Sequence, residues 1–182
     1  KGAKRLYKVG VGLFLAVLFA APALINTGWL VSSNNIKQVK TDFTLDMYGW
    51  QQAGEKLENW LKAEEQNTGT KPVLVTHKWF PGAHVDYYFA RPYDTKHLVL
   101  GRIGDIHKYK WINEERGAIQ QNEQAYFIST ARYFNEPLKV YGVKICNSML
   151  AKTIAIERSG KTVNEVFVYK IDFCENEKTP NL

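Results

Sequence analysis

The chain has 182 residues, 45% of them hydrophobic, 13% aromatic and 23% charged, with a formal net charge of +6. Lys1, Lys4, Arg5 and Lys8 carry four of those six excess charges and the first acid is Asp42, so the rest of the chain is nearly neutral. The basic balance therefore reports membrane topology and argues against a nucleic-acid surface, which would need basic runs interleaved with aromatics.

Val9 to Val31 carries no charge. About 20 such residues at ~1.5 Å each cross the ~30 Å hydrocarbon core of a bilayer. The basic residues before it belong on the cytoplasmic side, which puts everything after Val31 outside. Trp29 sits where an interfacial aromatic would, and Pro22 is tolerated in a membrane helix. A signal peptide is a second reading, since Ala20-Ala21-Pro22-Ala23 is small, but its apolar middle would be ~7–15 residues, shorter than this one. A buried core helix is a third, but it would normally show a polar face, and none appears before Asn26. The spanning helix accounts for more of these features than either. Because the chain begins with Lys, it is expected to be part of a longer protein, with this helix the last of several.

Ser32 to Thr44 is polar, without helical periodicity, and reads as a linker. Trp50, Ala53, Leu57, Trp60 and Leu61 recur at helical spacing through Glu65, with Asp46 placed to accept from the free N–H groups of that helix. Short apolar runs follow at Lys71–Trp79, His97–Gly101 and Ala125–Thr130. Between them, Phe80-Pro81-Gly82 reads as a turn, Ala83–Ala90 as a short helix and Arg91-Pro92 as its end. That alternation predicts a parallel α/β layer. Leu138–Cys146, Thr153–Arg158 and Val163–Cys174 are strand candidates, with a hairpin turn at Ser159-Gly160-Lys161. Along the last strand, Phe167, Tyr169, Ile171 and Phe173 form the more apolar face and are expected to point inward.

The expected architecture is a three-layer, Rossmann-like α/β domain with C-terminal antiparallel strands, preceded by one transmembrane helix. Its parts are 1–31 (basic flank and helix), 32–45 (linker), 46–174 (domain) and 175–182 (frayed tail).

Ligands of open α/β sheets bind at the carboxyl ends of strands, so His77, Lys78 and Trp79, after the first run, are candidate substrate contacts. His77 titrates near neutrality, Lys78 pairs with a phosphate and Trp79 stacks on a sugar ring; the plainer alternative is a strand-end loop with Trp79 in the core. Arg91 is a candidate anion contact, or a complement to a helix dipole. His107, Lys108, Lys110 and Trp111 alternate basic and aromatic side chains suited to lipid head groups, or form a packed loop with a solvated basic edge. Cys146 and Cys174 are close enough in strand order to pair outside the cytoplasm, or stay as two thiols. No Cys/His spacing fits zinc, and no nucleophile elbow, P-loop or dinucleotide fingerprint is present. The acids Asp42, Asp46, Asp86 and Asp105 show no pairing pattern.

Asp42-Phe43-Thr44-Leu45-Asp46-Met47-Tyr48-Gly49-Trp50 followed by Val75-Thr76-His77-Lys78-Trp79 resembles the C-terminal extracytoplasmic part of bacterial family 39 glycosyltransferases. These are related to the protein O-mannosyltransferases and the lipid A aminoarabinose transferase. Tyr88, Arg91-Pro92, Tyr109, Trp111 and the run Ala125–Ser129 follow in a similar order, while Phe43 stands where that family often carries Pro. The resemblance implies a polytopic enzyme of the bacterial inner membrane. Such an enzyme moves a sugar from a polyprenyl-phosphate carrier to an acceptor on the periplasmic side, with a catalytic acid in the first outer loop, upstream of this chain. This chain would then help recognise the acceptor and carry no catalytic residue. Its implied partners are membrane lipid, the lipid-linked donor and the upstream spans, with no nucleic acid. A divalent metal would belong to the parent enzyme, with no cofactor in this part. The competing reading is a single-span anchored module that binds a glycan, a lipid or a protein.

Overall fold

A computed structural model describes residues 2–29, 36–120, 122–140 and 145–174, with Gln38 by its backbone alone. The end of the expected span at 30–31, the start of the linker at 32–35 and the tail at 175–182 lie outside the described residues.

Helix α1 (Gly2–Thr27) takes in the basic flank as well as the apolar run. It is long and apolar enough to cross a bilayer and none of it packs inside the domain. Only its last turn meets other elements: Leu24 and Ile25 are half-buried and Gly28, just beyond, is buried. Helix α2 (Trp50–Thr68) follows a short 3-10 turn, Phe43–Asp46. Its apolar positions Trp50, Ala53, Leu57 and Leu61 face the sheet as their spacing requires.

The sheet has five strands in the order β2-β1-β3-β5-β4. Strands β1 (Val73–His77), β2 (His97–Leu100) and β3 (Ala125–Thr130) run parallel, and β5 (Lys161–Phe173) and β4 (Ile145–Arg158) close the far side antiparallel. The fold is thus a mixed α/β sheet with the expected antiparallel C-terminal strands. On one face α2 packs over Leu74, Tyr126, Ile128, Val166 and Val168. On the other, Val75, Leu98, Phe127 and Ile171 are closed over by Ile119 and Val140 from connecting segments.

Two local expectations are corrected and a third is extended. The first concerns Pro81 and Pro92, read as a turn and a break. The chain is helical from α3 (Trp79–Val85) through a π turn (Asp86–Ala90) into α4 (Arg91–Tyr93). Pro81 falls in the first helical turn, where no N–H is needed. The wide π turn accommodates Pro92, and the Tyr88 carbonyl comes to lie against Gly54 of α2, where any side chain would collide with it. The second concerns the strands read at Leu138–Cys146 and Thr153–Arg158. Pro137–Lys139 is a 3-10 turn, 141–144 lie outside the described residues, and one long strand, β4, runs from Ile145 to Arg158. Its register shifts are bulges that twist this sheet edge. The third concerns β5, whose Phe167, Tyr169, Ile171 and Phe173 face does pack inward, with Ile171 buried and Tyr169 and Phe173 against it, but whose other face is buried as well at Val166 and Val168. Helix α2 covers the valine face, so the strand is buried on both sides.

At the free edge of β2 the amide of Asn113, on α6 (Tyr109–Arg116), stands in for a neighbouring strand. Its Oδ1 accepts from the Val99 N–H at 3.1 Å and its Nδ2 donates to the Val99 carbonyl at 2.8 Å. Cys146 and Cys174 form a disulfide across β4 and the end of β5, with Cα atoms 5.1 Å apart.

Candidate functional site

Chain connections leave β1 toward β2 on one side, and β3 lies on the other, so the carboxyl end of β1 is the switch point where open sheets form a crevice. A cleft of about 360 Å³ opens there, lined by Asp46, Lys78, Trp79, Phe80, Gly104, Asp105 and Tyr133 among others. The 3-10 turn before α2 supplies Asp46, the β1–α3 junction supplies Lys78 to Phe80, the short helix α5 (Ile103–Ile106) supplies Gly104 and Asp105, and the segment after β3 supplies Tyr133.

Asp46 does not cap α2, whose N-terminal neighbour is Gly49 in a left-handed conformation. Its carboxylate instead accepts from Arg132 Nε and the Tyr133 hydroxyl. Arg132 Nη1 goes on to the Val39 carbonyl at 2.8 Å. Partial burial would raise the Asp46 carboxyl, but the Arg132 and Tyr133 hydrogen bonds and the Arg132 charge outweigh it and hold the group below the usual carboxylate range. Burial and the Asp46 contact push the Tyr133 hydroxyl up against the opposing pull of Arg132.

An aromatic wall runs inward from the cleft mouth. His107 meets Trp79 at 5.6 Å, Trp79 meets Phe80 at 5.6 Å, and Phe80 meets Tyr133 at 5.4 Å and His84 at 4.9 Å. His84 stacks flat on Trp50 at 4.5 Å. Burial lowers the His84 pKa against the opposing pull of Asp46, so this ring is neutral at pH 7. Two non-glycine residues beside Trp79 have positive φ: Lys78 at φ 69°, ψ 147° and His107 at φ 51°, ψ −122°. Both regions are nearly reserved for glycine, and each such residue costs roughly 1–3 kcal/mol. The two strained residues stand on either side of one exposed indole at the cleft rim.

The residues singled out from the sequence separate into three groups. Lys78, Trp79 and His107 come together at this end of the sheet, with Lys108 exposed next in the chain. His77 sits beside them, but its Nδ1 lies 2.8 Å from the Leu100 carbonyl and ties the ends of β1 and β2 together. Arg91 lies behind the sheet end, 3.9 Å from Asp86, and Lys110 and Trp111 lie along α6. Asp46, Asp105, Arg132 and Tyr133 were not singled out as contacts. The available signal was position, since Arg132 and Tyr133 follow the third parallel strand as Lys78 follows the first.

A second constellation lies under α3. Thr76 Oγ1 is 2.9 Å from His97 Nε2, and His97 Nδ1 is 3.5 Å from Asp86 Oδ1, longer than a good hydrogen bond. Hydroxyl, imidazole and carboxylate stand in the order of a hydrolase triad. Thr76 and His97 are wholly buried, so no substrate reaches the hydroxyl, and the group is structural. Asp86 accepts from Arg116 Nη2 at 2.7 Å, and Arg116 Nη1 donates to the His97 carbonyl at 2.7 Å, which pins α6 and the π turn to β2. Burial outweighs the pull of Asp86 and lowers the His97 pKa. Asp86 is held down by His97 and Arg116 in spite of its own burial.

Among the described residues no group of three or more His, Cys, Asp or Glu that could hold a metal ion stands together. No protein family, characterised protein or solved structure matches the chain.

Proposed function

We propose that this chain is the membrane-proximal, extracytoplasmic part of a glycosyltransferase that uses a polyprenyl-phosphate-linked sugar, and that its strand-end cleft receives the acceptor. The finer reading of the fold as a Rossmann-like, three-layer domain on the periplasmic side of the inner membrane belongs to this proposal. The observation that carries it is the cleft. An exposed indole and a phenyl ring beside carboxylates and a tyrosine hydroxyl suit a saccharide, whose C–H faces stack on aromatics while its hydroxyls donate to carboxylates. Lys78 adds a cation for a phosphate or carboxylate on the same ligand.

The electrostatics favour binding over chemistry. A general base works best with a pKa near the working pH. Asp46 is displaced the other way and its Oδ1 accepts from both Arg132 and Tyr133. This fits a division of labour in which the acid–base step belongs to the upstream part of the protein. The same feature supports the second reading, a membrane-tethered module that binds a glycan, lipid or protein and catalyses nothing.

The test is transfer of labelled sugar from the polyprenyl carrier by the full-length protein in lipid nanodiscs. Trp79→Ala should raise the KM for acceptor about tenfold or more with kcat changed less than about threefold, the pattern of lost uniform binding. Unchanged kinetics would remove the cleft from the acceptor site. Absence of any transfer by the unaltered protein, with glycan binding retained and abolished by Trp79→Ala, would favour the tethered module.

A further inference from the structure

The sheet end that carries the cleft is also the end at which α1 joins the domain. In β3, Thr130 pairs with Val166 of β5, and β5 continues back to Lys161, where it meets Arg158 at the hairpin turn. The hairpin therefore overhangs the carboxyl end of β3 by the residues from 161 to 166, about 17 Å of strand. Arg158, at its tip, reaches α1: Nη1 donates to the Ile25 carbonyl at 3.3 Å, and the guanidinium fills the space where a side chain on Gly28 would lie. The same guanidinium bonds Thr44 and Asp42, at the start of the 3-10 turn that leads to the cleft. Since α1 touches the domain only through its last turn, its remaining length projects away from this end.

Exposed apolar side chains gather around the junction. Phe43 is 64% exposed, Met47 61%, Ile103 58% and Trp79 46%, with Trp29 standing clear just after α1. Phe43 and Met47 flank the turn that supplies Asp46 to the cleft wall, and Ile103 precedes Gly104 on the opposite wall. Lys40, Lys78, Lys108 and Lys161 are exposed on this end, against Glu157 and the half-buried Asp105. Glu55 is also exposed, beside Met47 and Asn26, while Asp42 and Asp46 are each ion-paired with an arginine.

We infer that this end of the domain lies on the bilayer, with Phe43, Met47, Ile103 and Trp79 in the head-group layer and the lysines on anionic lipid, so that the cleft opens at the membrane surface. The occupant is lipid because the helix that emerges here sets the plane: the interfacial Trp29, the apolar ring and the cations lie where α1 ends, the arrangement an interfacial surface requires. A consequence is that the cleft takes ligands presented from the bilayer, a saccharide on a lipid anchor, in preference to a free sugar. The inference rests on the reading of α1 as a membrane span and does not depend on catalysis.

Nitroxide labels test it, placed by Phe43→Cys, Met47→Cys and Ile103→Cys in the full chain, with Met149→Cys on the exposed middle of β4 as reference. The chain is reconstituted in nanodiscs of phosphatidylcholine with phosphatidylglycerol. Labels at 43, 47 and 103 should collide with oxygen more than with a water-soluble nickel chelate, and the label at 149 the reverse. Joint reversal of Lys78→Glu and Lys108→Glu should weaken apposition about fivefold per lysine, and only when phosphatidylglycerol is present. Four labels with one common, water-like accessibility would overturn the inference while leaving the anchor intact. Labels at 43, 47 and 103 shielded from both reagents would overturn it in favour of a protein partner. Release of the whole chain by alkaline carbonate would overturn the anchor and this inference together. Retained near-ultraviolet dichroism in each variant confirms that the fold is intact.

Discussion

Removing the charge of Asp42 tests whether the junction between helix and domain is held by a buried ion pair. The Arg158 and Asp42 side chains are 0% and 3% exposed. The carboxylate caps the 3-10 turn, accepting from the Thr44 N–H at 3.0 Å, while Arg158 also donates to Thr44 Oγ1 at 2.7 Å and stacks over the Tyr48 ring at 5.2 Å. Asp42→Asn keeps the size and part of the cap but leaves the guanidinium buried without its counter-charge, a loss of about 3–5 kcal/mol. At roughly 2–4 °C per kcal/mol for a domain of this size, the midpoint should fall by about 6–20 °C. The assay is thermal unfolding of the full chain in nanodiscs, followed by near-ultraviolet circular dichroism. Glu58→Gln, which removes the solvent-exposed partner of Lys62, sets the scale and should cost under about 1 kcal/mol. The double variant Asp42→Leu, Arg158→Met removes both charges and should recover most of the loss, since apolar replacements of buried pairs are often neutral. A single-variant loss no larger than that of Glu58→Gln would refute the reasoning.

Three further outcomes are expected. Asn113→Ala strips the Val99 N–H and carbonyl of their partners and should cost about 2–4 kcal/mol, with faster hydrogen exchange confined to β2; exchange unchanged at Val99 would show that water or another group replaces the amide. Lys78→Gly relieves the positive φ and should stabilise the chain by roughly 1 kcal/mol while removing a cation from the cleft rim, so a loss of stability in unfolding experiments would mean that the backbone there is not strained. For pH, His97 has a folded pKa below 6.5, so the unfolded state takes up the proton first and stability falls as pH drops below about 6.5. His97→Gln should flatten that slope in part, His84 supplying the rest, and an unaltered slope would sink the assignment. Asp46 and Asp86 act in the same sense at lower pH: their folded pKa values are depressed, so their stabilisation is complete above about pH 4 and lost as pH falls below it.

Local elements were legible in the amino-acid sequence because they depend on near neighbours. The uncharged run from Val9 became a helix long enough to span a bilayer, the 3.6-residue spacing of Trp50, Leu57 and Leu61 became the buried face of α2, and Ser159-Gly160 became the hairpin turn. The three parallel strands followed from short apolar runs separated by helical segments. The misread places were those where a distant element set the outcome. Pro92 is accommodated by a π turn packed on Gly54 of another helix, and the valines of β5 are buried because α2 lies across them.

The site depended still more on distant contacts. Trp79 and Lys78 were found from their place at a strand end, but the partners that complete the cleft come from elsewhere in the chain. Arg132 and Tyr133 reach Asp46 across 86 and 87 residues, and Arg158 reaches Asp42 across 116. Periodicity assigns a residue to a face or to the end of an element, and it did so here for the helix, the strands and the first half of the cleft. Which ends meet is set by sheet order and register, the product of many packing choices over the whole chain. Only the folded molecule therefore placed Asp46 against Arg132, and brought the cleft and the exit of α1 to the same end of the sheet.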